Sequence, residues 1–314
     1  MQIKIKKSMT APFLVLMICI LLGLLQYLNI NDIAQKNNIY VAIIIMQVII
    51  FIIPGIIYCK LRGKKFAPEL KLKPFTPNKL WFTVCSFIVL ISGSALIKVG
   101  LYTLGYYSTQ YTMYEQYVPT SMRGFGDLVY ILIAVALLPA ITEEFVFRGI
   151  VLGEYRSMGC KKYIAATISA LLFSLVHLNI FQLPVFFFGG IIFAFVTLIT
   201  DSLLCAMLIH FLNNCFSLLF ESQLLNLISQ TDSIIFVLFI LTIVFLIFLI
   251  LTLQSTERIF YLKGIRGEAA PLMKGQRRKK KSSGFKFDIN AEALTSPVLI
   301  LCIVVFVIII LVVK

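Results

Sequence analysis

The chain has 314 residues, 60% of them hydrophobic and only 13% charged, with a mean hydropathy of +0.97 and a formal net charge of +14. Nine membrane spans of ~20 residues need ~180 apolar positions, close to what this composition supplies, whereas a soluble fold would have too little polar surface to cover such a core. Soluble enzymes, disordered chains and porin-type barrels are excluded; transporters, channels, scaffolds and intramembrane enzymes are not.

Apolar runs predict spans at 11–30, 41–59, 80–101, 127–151, 163–178, 184–200, 203–221, 233–253 and 297–313. The first follows basic residues as a secretory signal does, yet its apolar run is long and no small-x-small site follows, so it reads as an uncleaved anchor. The fold class is therefore all-α, a polytopic transmembrane helix bundle of eight to nine spans. It divides into an N-terminal region, 1–125, with three spans, a central region, 126–222, with four, and a C-terminal region, 223–314, with a basic loop. The loop from Tyr102 to Tyr117 is rich in tyrosine and reads as an interfacial aromatic belt.

Charge fixes an expected orientation. Of 28 Lys and Arg residues, 24 fall on one side of the alternating bundle: before span one, from Lys60 to Lys79, from Arg148 to Lys162, and from Arg258 to Lys286. Only Lys36, Lys98, Arg123 and Lys314 fall elsewhere. Basic loops stay in the cytoplasm, so the N-terminus is expected there and, with nine spans, the C-terminus outside. The run Arg277, Arg278, Lys279, Lys280 and Lys281 reads as an anchor to anionic lipids, not a nucleic-acid site. The expected location is the plasma membrane, with membrane lipids as partners and no nucleic acid. Six of the seven cysteines lie in or beside spans and none forms a C-x-x-C pair, so neither a disulfide framework nor a zinc-thiolate site is supported.

An ionisable group at membrane depth costs at least ~2.5 kcal/mol, so the few that remain mark function. Span four carries Pro139-Ala-Ile-Thr-Glu143-Glu144-Phe-Val-Phe-Arg148-Gly149, span five Phe173-Ser-Leu-Val-His177, and span seven His210-Phe-Leu-Asn213-Asn214; both histidines of the chain are among them. Glu144 and Arg148 share a helix face and predict a buried ion pair. Glu143, ~100° further round, is left as the free carboxylate. His210 and Asn214 also share a face, which Asn213 does not. Pro139 removes a backbone donor one turn before Glu143 and predicts a kink.

Depth follows from counting. With a hairpin turn near Gly159–Lys161, Glu143 and His177 each lie about 17 residues from it, and His210 reaches the same height from the Asp201–Ser202 turn. Glu143 is expected ~12 Å below the cytoplasmic boundary, with Glu154 and Arg156 projecting into the cytosol. The connection from Leu178 to Leu183 would then be non-helical at membrane depth, which is tolerated only beside a cavity; that cavity is expected to open to the cytoplasm.

The three motifs, in this order and each in its own apolar helix, resemble the CPBP family of intramembrane proteases, the CAAX-protease and bacteriocin-processing group also called Abi. The likeness covers about 126–222, and Gly189-Gly190 and Thr200-Asp201-Ser202 add to it. It implies an intramembrane endopeptidase acting on a membrane-associated or lipidated peptide or protein. Glu143 and His177 would hold and activate a water, His210 and Asn214 would hydrogen-bond the oxyanion, and Glu144 with Arg148 would orient the helix and the first carboxylate. The family has also been described as metalloproteases. A divalent metal such as zinc would then be held by Glu143, His177 and His210, but no His-Glu-x-x-His is present, and a metal-free, glutamate-dependent mechanism is favoured. Two rival readings stand beside this one. A non-catalytic scaffold or bacteriocin-immunity protein of the same fold would carry the same residues, while a secondary transporter should show interrupted helices in both halves, and the polar cluster lies in one.

Overall fold

The computed structural model describes residues 10–27, 39–63, 70–72, 77–106, 125–230, 234–265 and 289–312, and among them every regular element is a helix. In chain order these are α1 (Ala11–Tyr27), α2 (Tyr40–Arg62), α3 (Leu80–Thr103), α4 (Phe125–Ser157), α5 (Lys162–Leu175), α6 (Leu183–Thr200), α7 (Leu203–Gln230), α8 (Ile234–Ile265) and α9 (Ile289–Val312). Seven are long and apolar enough to cross a membrane, while α1 and α5 are shorter apolar helices. The chain is a multi-pass integral membrane protein. The lysines before span one, the basic run 277–281 and most of the aromatic loop beyond Tyr106 lie outside the described residues.

The bundle is built by close pairing of helices whose faces are apolar all round. Helices α5 and α6 form a tight hairpin, α3 packs on both α6 and α8, α7 sits between α4 and α6, and α1 pairs with α9. No residue in the most apolar window of α8 is fully buried, so the helix packs one face on α3 and leaves the other outside the bundle. The α5–α6 approach depends on Gly190, where an added Cβ would lie 2.9 Å from the Cα of Ala170. The α4–α5 turn depends on Gly159, whose φ of 92° suits a residue without a Cβ.

Helix α4 is not uniformly α-helical. Two π-helical segments, Leu132–Leu137 and Phe145–Val151, flank a short α stretch, Leu138–Glu144, that carries both glutamates. Pro139 stands at the start of that stretch. The disruption expected from its missing N–H takes the form of a widened turn just before it, one of the known causes of helix bending. Carbonyls in these wide turns find donors on neighbouring helices: Asn214 Nδ2 donates to Ala136 at 3.3 Å and Ser169 Oγ to Phe147 at 2.8 Å.

One expectation is corrected at the α4–α5 end. Glu154 does not project into the cytosol but is fully buried. The first N–H groups of helix α1 need acceptors. Glu154 supplies them, taking the amides of Thr10 and Ala11 at 2.6 and 2.8 Å, together with the Tyr58 hydroxyl, and Arg62 lies 3.4 Å away. The carboxylate thereby ties α1 and α2 to α4. Glu154→Ala is expected to lower stability by about 1–3 kcal/mol, the cost of stranding buried donors, while cleavage per folded molecule stays unchanged. Thermal unfolding in detergent checks the first and a rate normalised to folded protein the second.

Candidate active site

Helices α4, α5 and α7 bring the three motifs together at one depth. Glu143 Oε2 lies 3.9 Å from Nε2 of His177 and 4.0 Å from Nε2 of His210. Glu143 is 8% exposed and its Oε2 accepts no hydrogen bond from protein. It stands outside the Glu144–Arg148 pair, as the helical spacing requires.

Both imidazoles are turned toward it by what their other nitrogen does. His177 Nδ1 donates to the Phe173 carbonyl at 2.8 Å, one turn back, and its ring stacks on Phe186 with centroids 3.8 Å apart. A carbonyl only accepts, so in the neutral ring Nε2 carries the lone pair and faces the carboxylate. His210 Nδ1 donates to Glu144 Oε1 at 2.9 Å, and its ring stacks on Phe193 at 4.5 Å.

The predicted pair of Glu144 and Arg148 is present at 2.7 Å and is wholly buried. Glu144 Oε1 receives both Arg148 and His210, so the pair also holds the histidine of α7. Arg148 donates in addition to the Gly190 carbonyl at 2.9 Å and lies 4.4 and 5.0 Å from the ring centroids of Phe173 and Phe193. These contacts offset much of the cost of burying the charge, although Arg148 Nε and Glu144 Oε2 have no hydrogen-bond partner. Gly190→Val is accordingly expected to part α5 from α6, shift the carbonyl that Arg148 uses, and reduce both the melting temperature and any activity. A crosslinking or unfolding measurement that finds the variant as stable as the parent contradicts this.

Asn214 reaches the cavity wall, as expected, but its amide is engaged with the Ala136 carbonyl. Gln47 was not anticipated. It lies in α2, far from the motifs, yet it lines the same cavity, accepts a hydrogen bond from Thr142 Oγ1 at 2.6 Å and interacts with the Glu143 carboxylate. Its signal in the sequence is that of a single amide in a long apolar run. Lys98 and Glu221 were missed as well. They form a 2.7 Å ion pair inside the bundle.

These groups line a cavity of about 690 Å³. Its floor is Glu143, His210 and Phe193, and it runs past Ser94 and Ser217 to Lys98, Glu221, Asn179 and Gln182. Beyond the floor, toward the Gly159 and Asp201 turns, Val146, Phe147, Ala206 and Ile209 are completely buried. The cavity's lining residues therefore lie on the other side of Glu143 and His210 from those turns. Helices α5 and α6 are short, rising ~21 and ~27 Å at 1.5 Å per residue, and Asn179 and Gln182 of their connection reach the cavity wall.

Two imidazole nitrogens and a carboxylate are donor types that zinc accepts. Their spacing does not suit it as placed, since tetrahedral zinc at ~2.05 Å from each donor requires donors ~3.4 Å apart and these stand at 3.9 and 4.0 Å. Among the described residues no group of three His, Cys, Asp or Glu side chains meets metal-binding spacing.

Comparison with known proteins agrees with the motifs. Residues 125–216 match the family model described as type II CAAX prenyl endopeptidase Rce1-like. Over 195 residues, 59% of this chain and 76% of the relative, the sequence is 28% identical to the membrane-embedded CAAX protease MroQ of Staphylococcus aureus (strain USA300). No solved structure matches.

Proposed function

We propose, from the premise that this chain belongs to the CPBP family of membrane proteases, that it is an intramembrane endopeptidase in which Glu143 and His177 activate the attacking water. The observation that carries this reading is the partnerless Glu143 Oε2 facing Nε2 of both histidines at 3.9 and 4.0 Å on the floor of a cavity. Separations of that size suit a bridging water, which would sit within hydrogen-bonding distance of all three.

The chemistry follows from the donors and acceptors. Glu143 takes a proton from water as its oxygen attacks the scissile carbonyl carbon. His177 Nε2, an acceptor while Nδ1 donates to Phe173, holds the other water hydrogen and aims the lone pair. The carbonyl oxygen becomes an oxyanion, met by the second N–H of Asn214 and by His210 Nε2–H when that ring is doubly protonated. The Glu144 carboxylate is the counter-ion for that form. Collapse breaks the C–N bond, and Glu143 returns its proton to the leaving amine. No step runs through a metal, since the donor spacing does not fit one.

We assign the catalytic unit to 126–222, with walls from the N-terminal region through Gln47 and Lys98, in the plasma membrane. The test is cleavage of a pool of internally quenched peptides by the full chain in lipid nanodiscs. Parent protein is expected to cleave, with Glu143→Gln and His177→Ala inactive and chelator without effect. Activity that survives both substitutions sinks the mechanism, and chelator-sensitive activity restored by zinc overturns the metal-free assignment.

A further inference from the structure

We propose that Gln47 is a positioning residue of the catalytic site, its amide N–H donating to the Glu143 carboxylate and holding Oε2 toward the two histidines. Its catalytic use rests on the protease reading; the contact does not.

Gln47 belongs to α2 and lies outside residues 125–216, which match the family model. Helix α2 is broken in the same manner as α4. A π-helical segment, Val48–Ile52, follows Gln47 directly and stands just before Pro54, as Leu132–Leu137 stands before Pro139. The two helices meet at these breaks, since α2 packs on Leu138–Glu144 through the turns on both sides of its own π junction. Single wide turns of this kind recur at functional sites. The break brings an amide from a long apolar run to a buried partner, the Thr142 hydroxyl, and to the cavity that holds Glu143.

The orientation of the amide follows from its partners. Thr142 Oγ1 lies 2.6 Å from Gln47 Oε1 and 3.3 Å from the Pro139 carbonyl. Were the amide reversed, its oxygen would face the Glu143 carboxylate, and two acceptors would meet with no proton between them. With Oε1 taking the Thr142 proton, Nε2 is left to donate to Glu143, the carboxylate with which Gln47 interacts. Glu143 Oε2 accepts no hydrogen bond from protein, so the amide serves the other carboxylate oxygen and leaves Oε2 to the water. A glutamate side chain turns freely unless it is held, and a base must be held in line with the proton it takes. His177 and His210 do not hold it, standing 3.9 and 4.0 Å from Oε2, beyond hydrogen-bonding distance. Gln47 supplies that restraint from the neighbouring helix.

The test is kinetic and thermal, on the full chain in lipid nanodiscs with the best-cleaved peptide of the quenched pool. Gln47→Met keeps the length of the side chain and removes both hydrogen bonds. Thr142 retains the Pro139 carbonyl as acceptor, so the variant is expected to melt near the parent. Per folded molecule, kcat is expected to fall about 10–10²-fold, the cost of misplacing a reacting group by about an ångström, with KM within about twofold. Thr142→Val frees the amide to turn and is expected to lose less; added to Gln47→Met it is expected to cost nothing more, because both act through one contact. A parent-like kcat for Gln47→Met, or a loss carried by KM, overturns the proposal, and so does a Thr142→Val loss that multiplies with the first. Melting shifts for Gln47→Met and Glu143→Ala, singly and together, test the contact without catalysis. A double variant less destabilised than the sum of the two shifts supports it, and additive shifts overturn it. A parent that cleaves no peptide overturns the protease reading and the catalytic use of Gln47 with it, while non-additive melting shifts still uphold the contact.

Discussion

Glu143→Gln is expected to reduce peptide-bond cleavage by about 10²–10⁴-fold, the range a positioned general base contributes, while the bundle stays folded. Gln has the shape of Glu, and the oxygen it replaces has no protein hydrogen bond to lose. Nothing in the packing therefore penalises the change. What disappears is the ability to take a proton from water, which an amide does not do. The measurement is an initial rate on the quenched-peptide pool beside a melting curve. A variant that melts with the parent and cleaves at the parent's rate refutes the role given to this carboxylate.

The second large effect separates stability from activity at the ion pair behind His210. Glu144→Leu alone strands the fully buried Arg148, at a cost of about 3–5 kcal/mol, and is expected to unfold the core. Adding Arg148→Met replaces the pair by apolar side chains of similar volume, a change that is often neutral or stabilising in buried sites. The double variant is therefore expected to regain most of the parent's stability. Activity should not return, because His210 Nδ1 has lost the acceptor that turns Nε2 toward Glu143. Recovery of both properties would mean that the pair serves the fold alone; loss of both would mean that Gly190 and the two phenylalanine rings require the guanidinium.

Much of this site was legible in the sequence because ionisable groups are conspicuous against an apolar background. Helical spacing separated Glu143 from the Glu144–Arg148 pair, and counting from the turns placed Glu143, His177 and His210 at one depth, as the 3.9 and 4.0 Å distances bear out. What escaped depends on packing between helices. Spacing within α4 shows that Glu144 can meet Arg148, but not that a histidine of α7 shares the same oxygen. Pro139 announces a disruption without specifying a π turn. Glu154 stands near a basic turn, as a solvent-bound residue would, and nothing local reveals that the N-terminus of α1 lies against it.

The most direct measurement is a comparison of peptide termini, by mass spectrometry of membranes and medium, from cells making the parent chain or Glu143→Gln at equal abundance. The predicted result is a set of new peptide termini that is present with the parent and gone with the variant. The same termini at the same abundance in both would contradict a protease that works through Glu143.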